Sequence, residues 1–268
     1  VERSVSFGSG KLSVSSTLND LPWDAEISII DIQDKSKVAS GRTFGKTPVF
    51  EMEPGTYHVQ LEAMRIKGER SKVLIENVIV GEGDSSHVTH NFTTGKLSIG
   101  TSSPQGLIDA TIKILVPGKD NSVASGRTYS SPASNPTEFL LTPGEYDIIL
   151  EALPLSGKDA EVVLSGIEVV ANKKIEKVHN FEFGRLSVKV SNSYGPSDAL
   201  VKVMDKSSET VLASGRTNAT ESGNPRDFLL TTGQYLIEVS ETGKDESSKK
   251  TFTVEIISGE EVVREITF

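Results

Sequence analysis

The sequence predicts an all-β protein: three tandem seven-stranded antiparallel Greek-key β-sandwiches in an elongated array. Three observations carry this. One block recurs three times along the 268 residues, as Gly10-Lys11-Leu12-Ser13-Val14, Gly95-Lys96-Leu97-Ser98-Ile99 and Gly184-Arg185-Leu186-Ser187-Val188. A fixed period of this kind marks a repeat architecture, and units of about 90 residues have the size of small sandwiches. Within each unit the apolar residues alternate with period two, the strand period. Tyr57, Val59, Leu61 and Ala63 alternate with His58, Gln60 and Glu62, and Tyr146, Ile148, Leu150 and Ala152 follow the same pattern. Turn-forming clusters such as Asp34-Lys35-Ser36 and Asp205-Lys206-Ser207-Ser208 separate the runs.

The repeat fixes the expected boundaries: 10–94, 95–183 and 184–268. Each unit ends on a Phe, at Phe92, Phe181 and Phe268. Residues 1–9 match that ending and are expected to be the last strand of a missing upstream repeat. Residues 1–7 should then float or pair along an exposed sheet edge. In the first unit the strands are expected near 11–17, 25–32, 37–43, 48–52, 56–63, 71–80 and 86–92. From the last Phe of one unit to the first Leu of the next the interval is always five residues. A link this short should hold neighbours in similar orientations.

Several residues recur with the blocks. Asp24, Asp109 and Asp198 each precede an Ala. Arg42, Arg127 and Arg216 each lie in Ala-Ser-Gly-Arg-Thr. Gly55-Thr56-Tyr57, Gly144-Glu145-Tyr146 and Gly233-Gln234-Tyr235 open the longest alternating runs. Three separate sandwiches would not share one ligand-binding Arg. The expected role is structural, with each Arg held by the Asp of its own unit in a bidentate pair or by backbone carbonyls. The glycines suit turns closed to other residues, and the tyrosines suit a core position with the hydroxyl on a backbone partner.

The motif Leu141-Thr142-Pro143-Gly144-Glu145-Tyr146, with Met52 for Leu in the first copy, resembles a turn and strand of known families. These are the carboxypeptidase-regulatory-like, PEGA-type and collagen-adhesin B-type domains, which share a transthyretin-like, Ig-like sandwich. The whole repeat resembles tandem arrays in bacterial surface or periplasmic proteins, some of which also carry von Willebrand factor type A domains. The resemblance covers essentially the whole chain. It implies a stalk, spacer or binding platform. The collagen-adhesin likeness also raises an intramolecular Lys–Asn bond, from Lys11 or Lys96 to Asn91 or Asn180. Alternation turns Lys11 to solvent, and the third copy has Arg185 and Thr267 instead, so none is expected.

The remaining chemistry is sparse. Cysteine is absent, which removes disulfides, thiolate nucleophiles and Cys-based zinc sites. It fits an extracytoplasmic place: periplasm, cell surface or secreted. A net charge of −9 argues against nucleic acid and anionic membranes, and no apolar run has the length of a membrane span. His58, His87, His90 and His179 do not form a metal set by spacing, and Asp31, Asp34, Asp120 and Asn121 lack calcium-loop spacing. Trp23 is the only Trp. It either caps a sandwich end or touches the preceding repeat, or else it serves as a candidate partner contact, since Trp is favoured at hot spots.

The expectation is therefore a non-catalytic structural and interaction module, without cofactor, a monomeric fragment of a larger protein. It would act as a stiff spacer or presentation stalk. The alternative is an adhesin whose sandwich-end loops contact carbohydrate or protein.

Overall fold

The structure, a computed structural model, describes residues 8–244 and 248–268. The strand expected over residues 1–7 lies outside them. The first unit contains β1 (Gly10–Leu18), β2 (Leu21–Pro22), β3 (Ala25–Asp31), β4 (Lys37–Arg42), β5 (Val49–Met52), β6 (Gly55–Ala63), β7 (Lys72–Val80) and β8 (Ser85–Phe92). The second contains β9 (Gly95–Ser103), β10 (Gly106–Leu107), β11 (Ala110–Leu115), β12 (Ser122–Thr128), β13 (Thr137–Leu141), β14 (Gly144–Ala152), β15 (Glu161–Val169) and β16 (Lys174–Asn180). The third contains β17 (Phe183–Asn192), β18 (Gly195–Pro196), β19 (Ala199–Asp205), β20 (Val211–Arg216), β21 (Arg226–Thr231), β22 (Gly233–Glu241), β23 (Lys250–Ile256) and β24 (Glu261–Thr267). In the first unit seven strands match the sequence reading to within one residue, and the other two units repeat them. The eighth in each is a two-residue piece folded back on the end of the first strand.

Each unit is two four-stranded sheets. In the first unit, β1 pairs with β2 and β5 on antiparallel registers and with β8 on a parallel one. The second sheet has the order β4-β3-β6-β7, antiparallel throughout. The parallel pair recurs as β9 with β16 and β17 with β24. It was not legible in the alternation, which is the same in parallel and antiparallel strands. Its cause is topological: the last strand returns beside the first only after the long excursion through the other sheet. The chain therefore enters each unit at one end of the pair and leaves at the other.

The inner faces of the two sheets share one core per unit. In the first, Leu12 and Val14 meet Ile27, Ile29, Tyr57, Val59 and Leu61, all buried. Along β6 the inward residues are Tyr57, Val59, Leu61 and Ala63, while the residues between them stay in partial contact with water. The second and third cores repeat these positions. One β-bulge interrupts β3 against β4 between Ile29 and Ile30, and it recurs in all three units. A second bulge between β6 and β7 recurs in the second unit only.

Leu61 is fully buried between strands that cannot collapse onto it. Leu61→Ala should lower the unfolding free energy by about 2–5 kcal/mol in denaturant titration. A loss below about 0.5 kcal/mol would mean that its face of β6 is not core.

Candidate functional site

The repeated residues converge where one unit ends and the next begins. Arg42 reaches across from the end of β4 to Asp24, which precedes β3. Its Nε donates to Oδ1 at 2.9 Å and Oδ2 at 2.8 Å, and its terminal nitrogen also donates to Oδ2. Arg127 Nε donates to Asp109 Oδ1 at 2.7 Å, and Arg216 Nε to Asp198 Oδ1 at 2.5 Å. In both pairs a terminal nitrogen completes the fork. The guanidinium holds all three carboxyls below the usual aspartate range. Arg42 and Arg127 are each overlaid by the ring two residues on, Phe44 and Tyr129, at 4.7 Å.

The clamped aspartates carry a second load. The carbonyl of Asp24 accepts the N–H of Met64, that of Asp109 the N–H of Leu153, and that of Asp198 the N–H of Thr242. These are the first residues after β6, β14 and β22. Each clamp therefore pins the base of the loop that follows. In the first unit Trp23 reinforces it, its Nε1 donating to Met64 O at 2.9 Å. Trp23 thus braces the side that faces the following unit. It packs half-buried on its own core.

That loop is a connector. Ile66 is buried in the first core and Leu155 in the second. One residue later the backbone pairs with the next unit. Lys67 N–H donates to Leu140 O at 3.0 Å, and Thr142 N–H to Lys67 O at 2.9 Å. Ser156 N–H donates to Leu229 O, and Thr231 N–H to Ser156 O, both at 2.9 Å. Gly68 and Gly157 follow, at φ 108° and φ 129°. A Cβ on either would overlap the threonine hydroxyl and the tyrosine hydroxyl of the next unit: Thr142 and Tyr146, or Thr231 and Tyr235. Glycine is required on both counts. Two ion pairs flank the contacts, Glu69 with Lys119 at 2.8 Å and Lys158 with Asp205.

The core tyrosines belong to the same assembly. Tyr57, Tyr146 and Tyr235 each donate to the carbonyl four residues upstream, at 2.7, 2.8 and 2.7 Å. Burial pushes their hydroxyls up from the ordinary tyrosine range. Gly233 has φ 141°, whereas Gly55 and Gly144 do not have positive φ.

Other residues of the repeat act in ways the sequence reading did not assign. Thr43, Thr128 and Thr217, which end the Gly-Arg-Thr block, are fully buried. Each accepts the N–H of the Ala that follows the clamped Asp. Gly41 and Gly126 leave room for the rings of Phe50 and Phe139. Asn135 and Asn224 are buried latches on the first strands of their sheets. Asn135 Oδ1 accepts Thr101 N–H and its amide donates to Thr101 O, and Asn224 does the same with Val190. The repeated Asn-Pro pair was the available signal. The recurrence of Ile66-Lys67-Gly68 as Leu155-Ser156-Gly157 was the available signal for the connector.

The candidate ligands are dispersed. His87 bonds Ser13, and His58 accepts the N–H of Asn77. His90 and His179 stand edge-on to Phe92 and Phe181 at 4.5 Å, and burial lowers both from the ordinary imidazole value. Asp31 and Asp34 cap their own turn through Gln33 N–H and Ser36 N–H. Lys11 aligns with Ser85, while Asn91 aligns with Thr17 at the far end of the same pair. Among the described residues no three His, Asp or Glu side chains converge as a metal-ligand set. No described helix is long and apolar enough to cross a membrane.

The fold and these junctions define a tandem array of β-sandwiches coupled backbone to backbone. No family model matches the chain, and no curated protein matches it. Among solved structures it is similar to the Bacillus anthracis TIE protein, at 16% identity over 97% of this chain and 51% of that one, with a TM-score of 0.31. It is also similar to a streptococcal ancillary pilin, at 11% identity over 96% of this chain and 98% of that one, TM-score 0.35. A third is GBS52, the minor pilin of Streptococcus agalactiae, at 10% identity over 64% of this chain and 94% of that one, TM-score 0.35. The chain spans about half the length of the first of these. Scores this low carry no functional weight.

Two outcomes follow. Arg127→Ala frees the base of the connector at Leu153, so the Thr231 amide should exchange with solvent faster while the Thr142 amide does not. The melting-temperature gap to the unaltered protein should be full at neutral pH. Depressed aspartate values stabilise above the unfolded value, so the gap should close only as pH falls below about 3.9. For His179 the shift is also downward, so the unfolded chain binds the proton first and stability falls as pH drops through about 6.5. His179→Ile should flatten that part of the melting curve against pH.

Proposed function

We propose that the chain is a non-catalytic structural module: a stiff extracytoplasmic spacer that holds whatever it carries at a set distance. The observation that carries this reading is the twice-repeated junction, with its paired backbone hydrogen bonds, its obligatory glycine and its clamped base. A linker of two residues alone would limit the swing between units. The connector supports a fixed orientation as well. In this reading the units are 10–94, 95–183 and 184–268, and the Arg–Asp pairs are structural fittings. With no cysteine the chain has no thiol to be oxidised in an oxidising compartment.

Small-angle scattering tests it. Strands of about eight residues span roughly 25 Å and the end loops lengthen each unit further, so three units end to end reach on the order of 100 Å. The radius of gyration should lie near ~30 Å, against about 18 Å for a compact globule of this length. Gly157→Ala should leave the far-ultraviolet spectrum intact and broaden the distance distribution, because it opens the second junction. A value near ~20 Å for the unaltered protein would sink the spacer reading.

A second reading, an adhesin, is favoured by one observation. Trp23 floors an open hollow with Pro22, Arg42, Phe44, Met64 and Arg65. Beside it Leu21 and Phe44 are 69% and 66% exposed. Apolar side chains beside a charged pair suit a sugar or a peptide. A glycan array and a pull-down with the full chain, repeated with Phe44→Ser, decide this reading. Loss of a captured ligand on substitution supports it, and no capture by the unaltered chain removes it.

A further inference from the structure

The acceptor side of the junction exists three times, and the described chain fills it twice. Met52, Leu141 and Leu230 are equivalent, each paired with the first glycine of its unit. In the second and third units the residues on either side use outward backbone groups to receive a connector: Leu140 O and Thr142 N–H, and Leu229 O and Thr231 N–H. The corresponding groups in the first unit are Glu51 O and Glu53 N–H. β5 pairs only with β1, so this edge is open among the described residues. The rest of the socket is in place. Met52 is buried, and Tyr57 holds Glu53 O as its counterparts hold theirs. Thr142 and Thr231 are buried beneath their connectors, whereas Glu53 is exposed. The entering chain also follows the common path: Ser9 O accepts Gly83 N–H as Thr94 O accepts Asn172 N–H and Phe183 O accepts Gly259 N–H.

The charges around the sockets differ. Position Glu69 of the first connector corresponds to Lys158 of the second, and the two filled junctions have opposite polarity: acid to Lys119, base to Asp205. By strand register Asp31 occupies the place of Asp205, since each aligns with the tyrosine of its unit. Glu51 and Glu53 add two carboxylates. An acidic connector of the Glu69 type would meet three like charges there, and a Lys158 type would meet its complement.

We propose that the open edge of the first unit is a docking socket for a further unit of this same repeat, one whose connector reads apolar-x-Gly followed by Lys or Arg. The third unit of another copy of this chain does not fit the description. After Glu241 its loop runs Thr242-Gly243-Lys244, without the apolar residue that Ile66 and Leu155 supply. The proposal rests on the end-to-end reading above and names the partner of the open β5 edge.

The test is a four-unit chain in which residues 95–182 are repeated directly ahead of Ser9, so that the five-residue interval from Phe to Leu is kept. Amide exchange is followed at Glu53, Thr142 and Thr231. In the three-unit chain Glu53 should exchange freely while the other two are protected. In the four-unit chain Glu53 should slow by about tenfold or more. Lys158→Glu in the added copy should return it toward the free rate, and Asp31→Lys together with that change should restore protection. Unchanged Glu53 exchange with Thr142 and Thr231 still protected would overturn the socket and leave an acidic cap, with the spacer reading intact. Fast exchange at all three would overturn both. Equal protection with and without Lys158→Glu would overturn the charge selection.

Discussion

A backbone cannot approach another backbone through a side chain, and the array depends on this constraint at two positions. Gly68 and Gly157 are where a connector passes over the threonine and tyrosine of the next sandwich. Without a Cβ the chain comes close enough to exchange two amide hydrogen bonds. Everything else at the junction serves to deliver that segment. Ile66 or Leu155 anchors it in its own core. The Arg–Asp fork fixes the residue from which it springs. The tyrosine hydroxyl fixes the carbonyl that shapes the receiving turn. The Glu69–Lys119 pair beside it is exposed and adds little by itself, whereas Lys158 meets a buried Asp205, and this difference distinguishes one socket from the other.

The same reading accounts for the recurrence of Arg, Asp, Gly and Tyr in all three sandwiches. These line a path of force from one unit to the next, from guanidinium to carboxylate, to loop base, to connector, to neighbouring strand. The third unit keeps the fork at Arg216 and Asp198 yet has lost the apolar plug. At the register position of Ala63 and Ala152 it carries Glu241, which takes hydrogen bonds from Asn192 and Ser197. The fork therefore also stabilises a sandwich end that carries no connector of this kind.

Much of the fold could be read from alternation and recurrence, because both reflect burial. Leu12, Val14, Tyr57, Val59 and Leu61 could be assigned to the core one by one. Pairing direction could not: β8 lies parallel to β1, and no residue in either strand encodes it locally. The site was half legible. Arg127 and Asp109 stood out by joint repetition, but their link to Leu153 runs through a carbonyl, and backbone partners leave no trace in residue type. Ile66-Lys67-Gly68 was visible as a pattern, but its partner was not, since the contact spans two units. Trp23 was ambiguous for the same reason, because a single copy has no repetition to interpret.

The parallel pairing of first and last strands has a mechanical meaning. Tension along the array pulls the start of β1 one way and the end of β8 the other, and the two strands lie side by side over Lys11 to Leu18 and Ser85 to Phe92. The load therefore runs along the strands, and the whole ladder between them is sheared at once instead of being unzipped bond by bond. Each sandwich meets a pull with a full-length parallel ladder, and every unit in the series bears the same load in the same geometry. Survival under tension is then governed by the rate at which that ladder ruptures, not by the equilibrium stability of the unit.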